Sequence, residues 1–151
     1  MEQRLKLKLP NGKFLGVTLE RSRIMSAIRG KSNRTTERRL RMALVRHGIR
    51  GWVLQSSQLP GRPDFFFSKS ALAVFVDGCF WHGCQKCGHV PKTRRPFWRA
   101  KLKRNAERDR RTDRLLRQSG IRTIRIWEHS LKTDKGTAAS LRLIERELSR
   151  R

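Results

Sequence analysis

Apolar positions are sparse in the first third of the chain, dense in the middle and periodic towards the end. Residues 1–17 alternate weakly, with Leu5, Leu7 and Leu9 ahead of Pro10-Asn11-Gly12, which predicts a hairpin or a loose arm. Thr18 is placed to cap a short helix running to Gly30, with Leu19, Ile24, Ala27 and Ile28 as its apolar positions. A second helix fits residues 35–47, because Leu40, Ala43 and Leu44 recur at helical spacing and Gly48 supplies a stop. The middle of the chain changes period. Asp64-Phe65-Phe66-Phe67, a turn at Ser68-Lys69-Ser70 and the run Ala71–Val76 read as two adjacent strands. The second of these is apolar on both faces, as a strand buried inside a sheet must be.

From Phe97 to Gln118 a long basic helix is predicted, ending near Gly120. Ile121–Trp127 forms a third strand, with Ile124 and Ile126 on one face and Arg125 on the other. Ala138, Leu141, Ile144 and Leu148 make the apolar stripe of a final helix. This order of helices and strands predicts a mixed α/β fold. The expected division is an arm at 1–17 and a single domain over 18–151, which suits a chain of 151 residues.

Charge narrows what such a domain binds. Lys and Arg number 37 against 12 Asp and Glu, a formal net charge of +25, and this excess points to a polyanion, in practice nucleic acid. A merely solubilising surface is the plainer alternative. No apolar run approaches the ~20 residues that span a bilayer, and the N-terminus lacks the apolar core of a secretion signal. The expectation is a cytoplasmic protein that does not enter membranes. Its three cysteines fall within residues 79–87, an odd and tightly clustered set that favours metal or thiolate chemistry over a disulfide framework.

Two segments carry candidate chemistry. Leu59-Pro60-Gly61-Arg62-Pro63-Asp64 delivers a carboxylate to the start of one strand, and Asp77 ends the next. Carboxylates at neighbouring strand ends can share a hard cation such as Mg²⁺, and beside DNA such an ion suits phosphodiester hydrolysis. Two aspartates taken alone read more readily as a turn cap and a solvated strand end. The second segment, 78–89, holds Cys79, Cys84, Cys87, His82 and His89. Three thiols call for a fourth ligand to complete tetrahedral Zn²⁺, and His82, His89 and the distant His129 are the candidates. His82 lies inside the Cys79–Cys84 loop and is poorly placed to bind the same ion, which leaves it available as an acid or base near Asp64. Phe80 and Trp81 fit either packing around that metal or insertion between bases. Trp98 fits either insertion or packing on Leu102.

Leu-Pro-Gly-Arg-Pro-Asp-Phe (59–65), Val-Phe-Val-Asp-Gly-Cys-Phe-Trp-His-Gly-Cys (74–84), Asn105-x-x-Arg108-Asp109 and Trp127-Glu128 follow one another in an order and at spacings that resemble the very-short-patch-repair endonucleases. These enzymes nick one strand at mismatches and accompany bacterial cytosine methyltransferases. The likeness runs from about Arg21 to Leu131. It implies a restriction-endonuclease-like mixed sheet flanked by helices, with a structural zinc site. It also implies Mg²⁺-dependent nicking at a T:G mismatch left by 5-methylcytosine deamination, on double-stranded DNA, by a monomer.

Carried onto this sequence, the resemblance makes Asp64 the essential Mg²⁺ ligand and adds the Val76 main-chain carbonyl. His82 becomes the base for the attacking water, and Glu37 a carboxylate near the active centre. Phe80, Trp81 and Trp98 would enter the DNA from one groove and Met25 from the other. The sequence departs from the family pattern twice. Asp77 stands where the best-known member has a catalytically important histidine and is expected here as a second Mg²⁺ ligand. His129 stands where that member has a cysteine, so the expected zinc shell is Cys79, Cys84, Cys87 and His129, with His89 in reserve for Cys87.

From Arg94 to Arg117 there are eleven Lys or Arg and three acidic residues, too many cations for one helix to bury. Lys101, Arg104, Asn105, Arg108 and Arg111 are the expected DNA contacts on this helix. A broader nuclease in restriction or phage defence, and a non-catalytic zinc-containing nucleic-acid-binding module, are the competing readings. The second gives no reason for Asp64 and Asp77 at adjacent strand ends.

Overall fold

A computed structural model describes Glu20 and residues 35–150. The expected arm at 1–17, Met25 and all of the expected helix 18–30 except Glu20 lie outside the described residues. In chain order the described elements are helix α1 (35–46), strands β1 (Trp52–Leu54), β2 (Phe65–Phe67) and β3 (Leu72–Asp77), helix α2 (Arg95–Gln118), strand β4 (Arg122–Trp127) and helix α3 (Asp134–Ser149). A 3-10 turn, Glu128–Lys132, joins β4 to α3.

The four strands form one mixed sheet in the order β1-β2-β3-β4. β1, β2 and β3 pair antiparallel, whereas β3 and β4 run parallel with Leu72 opposite Arg122 and Asp77 opposite Trp127. A parallel pair needs a long crossover, and α2 is that crossover. β3 is buried at all six positions, as its two-faced apolar pattern requires. Leu72, Val74 and Val76 join Leu40 and Leu44 of α1 and Leu141 and Ile144 of α3 in the larger core. Ala73 and Phe75, on the opposite face, pack with Leu116 of α2. The sheet is therefore sandwiched, with α1 and α3 on one side and α2 on the other.

β1 was absent from the sequence reading. It is three residues at the sheet edge, with Val53 and Leu54 exposed, so its side chains carry no inside–outside alternation to read. Only Trp52 reaches inward, its ring meeting Phe65 edge-on at 5.4 Å. α3 begins earlier than its apolar stripe because Thr133 caps it, accepting the Gly136 N–H at 3.1 Å.

Candidate active site and metal centre

The turn before β2 brings Asp64 to the α2 side of the sheet. Gly61 in that turn has φ of 74° and lies against Thr112 of α2 and Phe75 of β3, where a side chain would overlap Thr112 and crowd Phe75. Asp64 then spans to the neighbouring strand, its Oδ2 accepting the Val76 N–H at 2.7 Å. Burial pushes the Asp64 carboxyl above the usual carboxylate range. The Val76 bond, a side-chain hydrogen bond with Glu37 and the proximity of His82 pull against that shift, while the charge of Asp77 adds to it. Glu37 of α1 thus reaches the Asp64 carboxyl.

Asp64, Val76, Asp77, His82, Arg108, Asp109 and Arg125 border one cleft of about 500 Å³. His82 Nδ1 lies 2.6 Å from Asp109 Oδ2, and 3.7 Å from Asp77 Oδ1. A carboxylate only accepts, so the imidazole proton sits on Nδ1 and Nε2 of the neutral ring keeps its lone pair. Burial works to raise the Asp109 pKa, but the His82 hydrogen bond and the nearby Arg125 and Arg108 hold it below the usual range. Asp109 is therefore ionised and orients the ring.

Asp77 is 3% exposed, and Arg125 Nη1 lies 3.1 Å and 2.9 Å from its two oxygens. The expected second Mg²⁺ ligand is thus engaged by a guanidinium. The rest of that guanidinium grips α2: Nε and Nη2 donate to Asp113 at 3.2 Å and 2.8 Å, and Nη2 to the Asp109 carbonyl at 3.5 Å. Phe75, the register partner of Arg125, lies beneath it at 4.6 Å. Burial pulls the Arg125 pKa down, but Asp113 and Asp77 more than reverse this and raise it.

Three residues before His82 a second centre begins. Ligand atoms of Cys79, Cys84, Cys87 and His129 all lie within 4.8 Å of one another. His129 Nδ1 is 3.3, 3.4 and 3.5 Å from the sulfurs of Cys79, Cys84 and Cys87, and the Cys84 and Cys87 sulfurs are 3.7 Å apart. Metal–ligand bonds of about 2.3 Å to sulfur and 2.1 Å to nitrogen give tetrahedral edges of roughly 3.6–3.8 Å, so these donors suit one four-coordinate ion. Burial and the neighbouring thiols push the Cys79 thiol up to about 12, whereas the Cys84 thiol is lowered against its burial by hydrogen bonds from the Cys87 and Lys86 backbone, so the Cys79 thiolate is the one that needs a cation to neutralise it. The loop is fixed from outside by Glu128, whose Oε2 accepts the Cys79 N–H at 3.2 Å. Gly88 lets the chain close over Cys84, its N–H donating to the Cys84 carbonyl at 2.8 Å. His89 stands apart from this donor set, its ring 5.7 Å from that of Phe80.

The aromatic residues form a cluster beside both centres. Phe80 meets Trp81 at 4.8 Å and Trp98 at 5.2 Å, and Phe97 meets Trp98 at 5.4 Å. Lys101 Nζ lies 5.3 Å from the Trp81 ring and 5.8 Å from Trp98. Asn105 Nδ2 donates to the Trp81 carbonyl at 2.8 Å, tying the aromatic loop to α2. Arg104, Arg108 and Arg111 are exposed on α2.

The sequence model of the DNA mismatch endonuclease Vsr family matches residues 17–88. The DNA mismatch endonuclease Vsr of Escherichia coli strain K12 is 39% identical over 114 residues, covering 74% of this chain and 71% of that protein. The type II nicking enzyme V.NmeAIP of Neisseria meningitidis serogroup A is 35% identical over 133 residues, covering 87% and 93%. The chain belongs to the Vsr family of DNA mismatch endonucleases. Another type II nicking enzyme, V.NaeI of Lentzea aerocolonigenes, is 42% identical over 113 residues, covering 72% and 68%. This Vsr-family chain is accordingly an endodeoxyribonuclease with the restriction-endonuclease-like fold of the family, and no helix among its described residues is long and apolar enough to cross a membrane.

Three members of the site escaped the sequence reading as participants: Asp109, Asp113 and Arg125. A signal was present. Asp109 and Asp113 stand four apart, on one face of a helix whose charges are mostly basic. Arg125 interrupts the inner face of a strand whose other face is apolar.

Proposed function

We propose that this enzyme nicks one strand of double-stranded DNA beside a T:G mismatch, such as 5-methylcytosine deamination leaves, with Mg²⁺ at Asp64 and Zn²⁺ in the Cys79–Cys84–Cys87–His129 centre. The observation that carries this reading is the shared cleft in which Asp64 faces a His82–Asp109 pair. Asp64 would hold Mg²⁺ together with the Val76 carbonyl, and Glu37 steadies the Asp64 carboxyl. Held there, Mg²⁺ would supply the positive charge that polarises a scissile phosphate. His82 accepts the proton of the attacking water at Nε2, and the ionised Asp109 keeps the ring in the tautomer that can do so.

The thiol–imidazole centre suits a structural role, because four protein ligands leave a tetrahedral ion no open position. It fixes the loop that carries Phe80, Trp81 and His82. Phe80, Trp81 and Trp98 then act as a wedge where a mismatched pair costs least to unstack. Lys101, Arg104, Arg108 and Arg111 set the duplex on α2 through its phosphates, and Asn105 holds the wedge in place. The T:G substrate links the enzyme functionally to a cytosine DNA methyltransferase.

A nicking assay tests this reading on otherwise identical duplexes carrying T:G, T:A or C:G at one position, with and without Mg²⁺. A single-strand break confined to the T:G duplex and to Mg²⁺ is the expected outcome. Equal cutting of the paired duplexes would instead make the protein a broader nuclease, and binding without cutting would make it a non-catalytic module.

A further inference from the structure

We propose that Arg125 is a built-in cation occupying the Asp77 half of the cleft, so that the protein takes a single divalent ion, at Asp64. The inference rests on the metal-dependent reading of Asp64 given above. Asp77 and Asp64 border one cleft at adjacent strands, which is the usual arrangement for carboxylates that share metal ions. Their surroundings differ. Asp64 receives a backbone N–H from Val76 on Oδ2, which leaves acceptor capacity for an ion. Asp77 has Nη1 of Arg125 at 2.9 Å and 3.1 Å from its two oxygens and is almost wholly buried. A cation is already chelated there.

The guanidinium is not free to leave. Its Nε and Nη2 are held by Asp113, Nη2 also reaches the Asp109 carbonyl, and the Phe75 ring closes its flat side. An arginine keeps its charge at any pH the protein meets, unlike a histidine or lysine in the same place. Mg²⁺ must approach a carboxylate oxygen to about 2.1 Å, against the repulsion of a fixed positive charge on that same carboxylate. Arg125 also places the Asp109 backbone, whose side chain orients His82. It is a positioning residue that supplies charge to one half of the cleft and geometry to the other.

Binding of Mn²⁺ alone to the zinc-loaded full chain, counted by electron paramagnetic resonance, tests the proposal. One ion per chain is expected. Asp77→Asn should leave its dissociation constant within about twofold, and Asp64→Asn should abolish it. Arg125→Met should open a second Mn²⁺ site that the added Asp77→Asn removes, and Arg125→Lys should not open it. Circular dichroism shows which variants are folded, and if Arg125→Met is not, the wild-type count and Asp77→Asn decide. Two ions in the wild type, a tenfold loss of affinity in Asp77→Asn, or a folded Arg125→Met that binds only one ion each overturn the proposal. Retention of Mn²⁺ in Asp64→Asn overturns the reading of Asp64, and this inference with it.

Discussion

The two centres interleave in sequence, with Asp77 and His82 on either side of Cys79, and are held together by opposite means. In the cleft, the protein supplies both signs: Asp77, Asp109 and Asp113 surround Arg125 and His82 at 2.6–3.7 Å. At the cysteine centre it supplies donors of one kind, three thiols and an imidazole within 4.8 Å, and leaves the positive charge to be provided. The first arrangement is electrostatically closed before any ion or DNA arrives, apart from Asp64. The second is closed only by a metal. Preorganisation in one place thus depends on the protein alone, and a few residues away on something bound.

Chelation, or Cys84→Ser, should have the largest effect. Metal content at the cysteine centre falls to none and nicking drops to background. Amides of residues 79–89 lose their protection from hydrogen exchange, while those of β2 and β3 keep theirs. Loss of protection in β2 and β3 as well would show that the cleft is not self-sufficient and would break the contrast. Asp109→Asn comes next. It removes the charge that fixes the His82 tautomer, so nicking should fall by about 10²–10⁴ with the metal retained and the melting temperature little changed. A loss of less than threefold would remove His82 from the chemistry.

The smallest effect is on stability. Burial raises the Asp64 pKa, so the folded protein binds that proton more tightly than the unfolded chain does. The stabilisation this provides is present below the ordinary carboxylate pKa and is lost as pH rises through the raised value. Asp64→Asn should therefore melt higher than the wild type at neutral pH, with the gap closing in acid. A lower melting temperature at pH 7 would mean that the Val76 and Glu37 contacts outweigh the cost of burial.

What could be read from the sequence followed its range. β3 is apolar on both faces and could only be a central strand, and the cysteines announce a metal centre by spacing alone. Asp64 is conspicuous because a turn delivers it to a strand. The partners of Asp77 and His82 were hidden because they come from 48 and 27 residues away, through the register of a parallel pair and the phase of a helix. In the sequence Asp77 carries no mark of the arginine it meets, and Arg125 shows only as the polar side of a strand. The edge strand β1 was invisible for the reason that edges usually are: with one side in water, it has no pattern to keep.

The parallel pairing of β3 with β4 also sets an order of events during synthesis. Leu72 meets Arg122 only after 50 residues, about half of them in α2, have followed it, and such distant contacts form late. The antiparallel strands β1 to β3 can assemble with Asp64 and Asp77 already side by side. Asp109 and Asp113 then arrive on α2, and Arg125 arrives last. A chain still emerging from the ribosome thus has its acidic residues before the arginine that orders them. The cleft proposed for cutting is complete only when the last strand docks, so a chain ended before β4 lacks the Arg125 that joins Asp77 to α2.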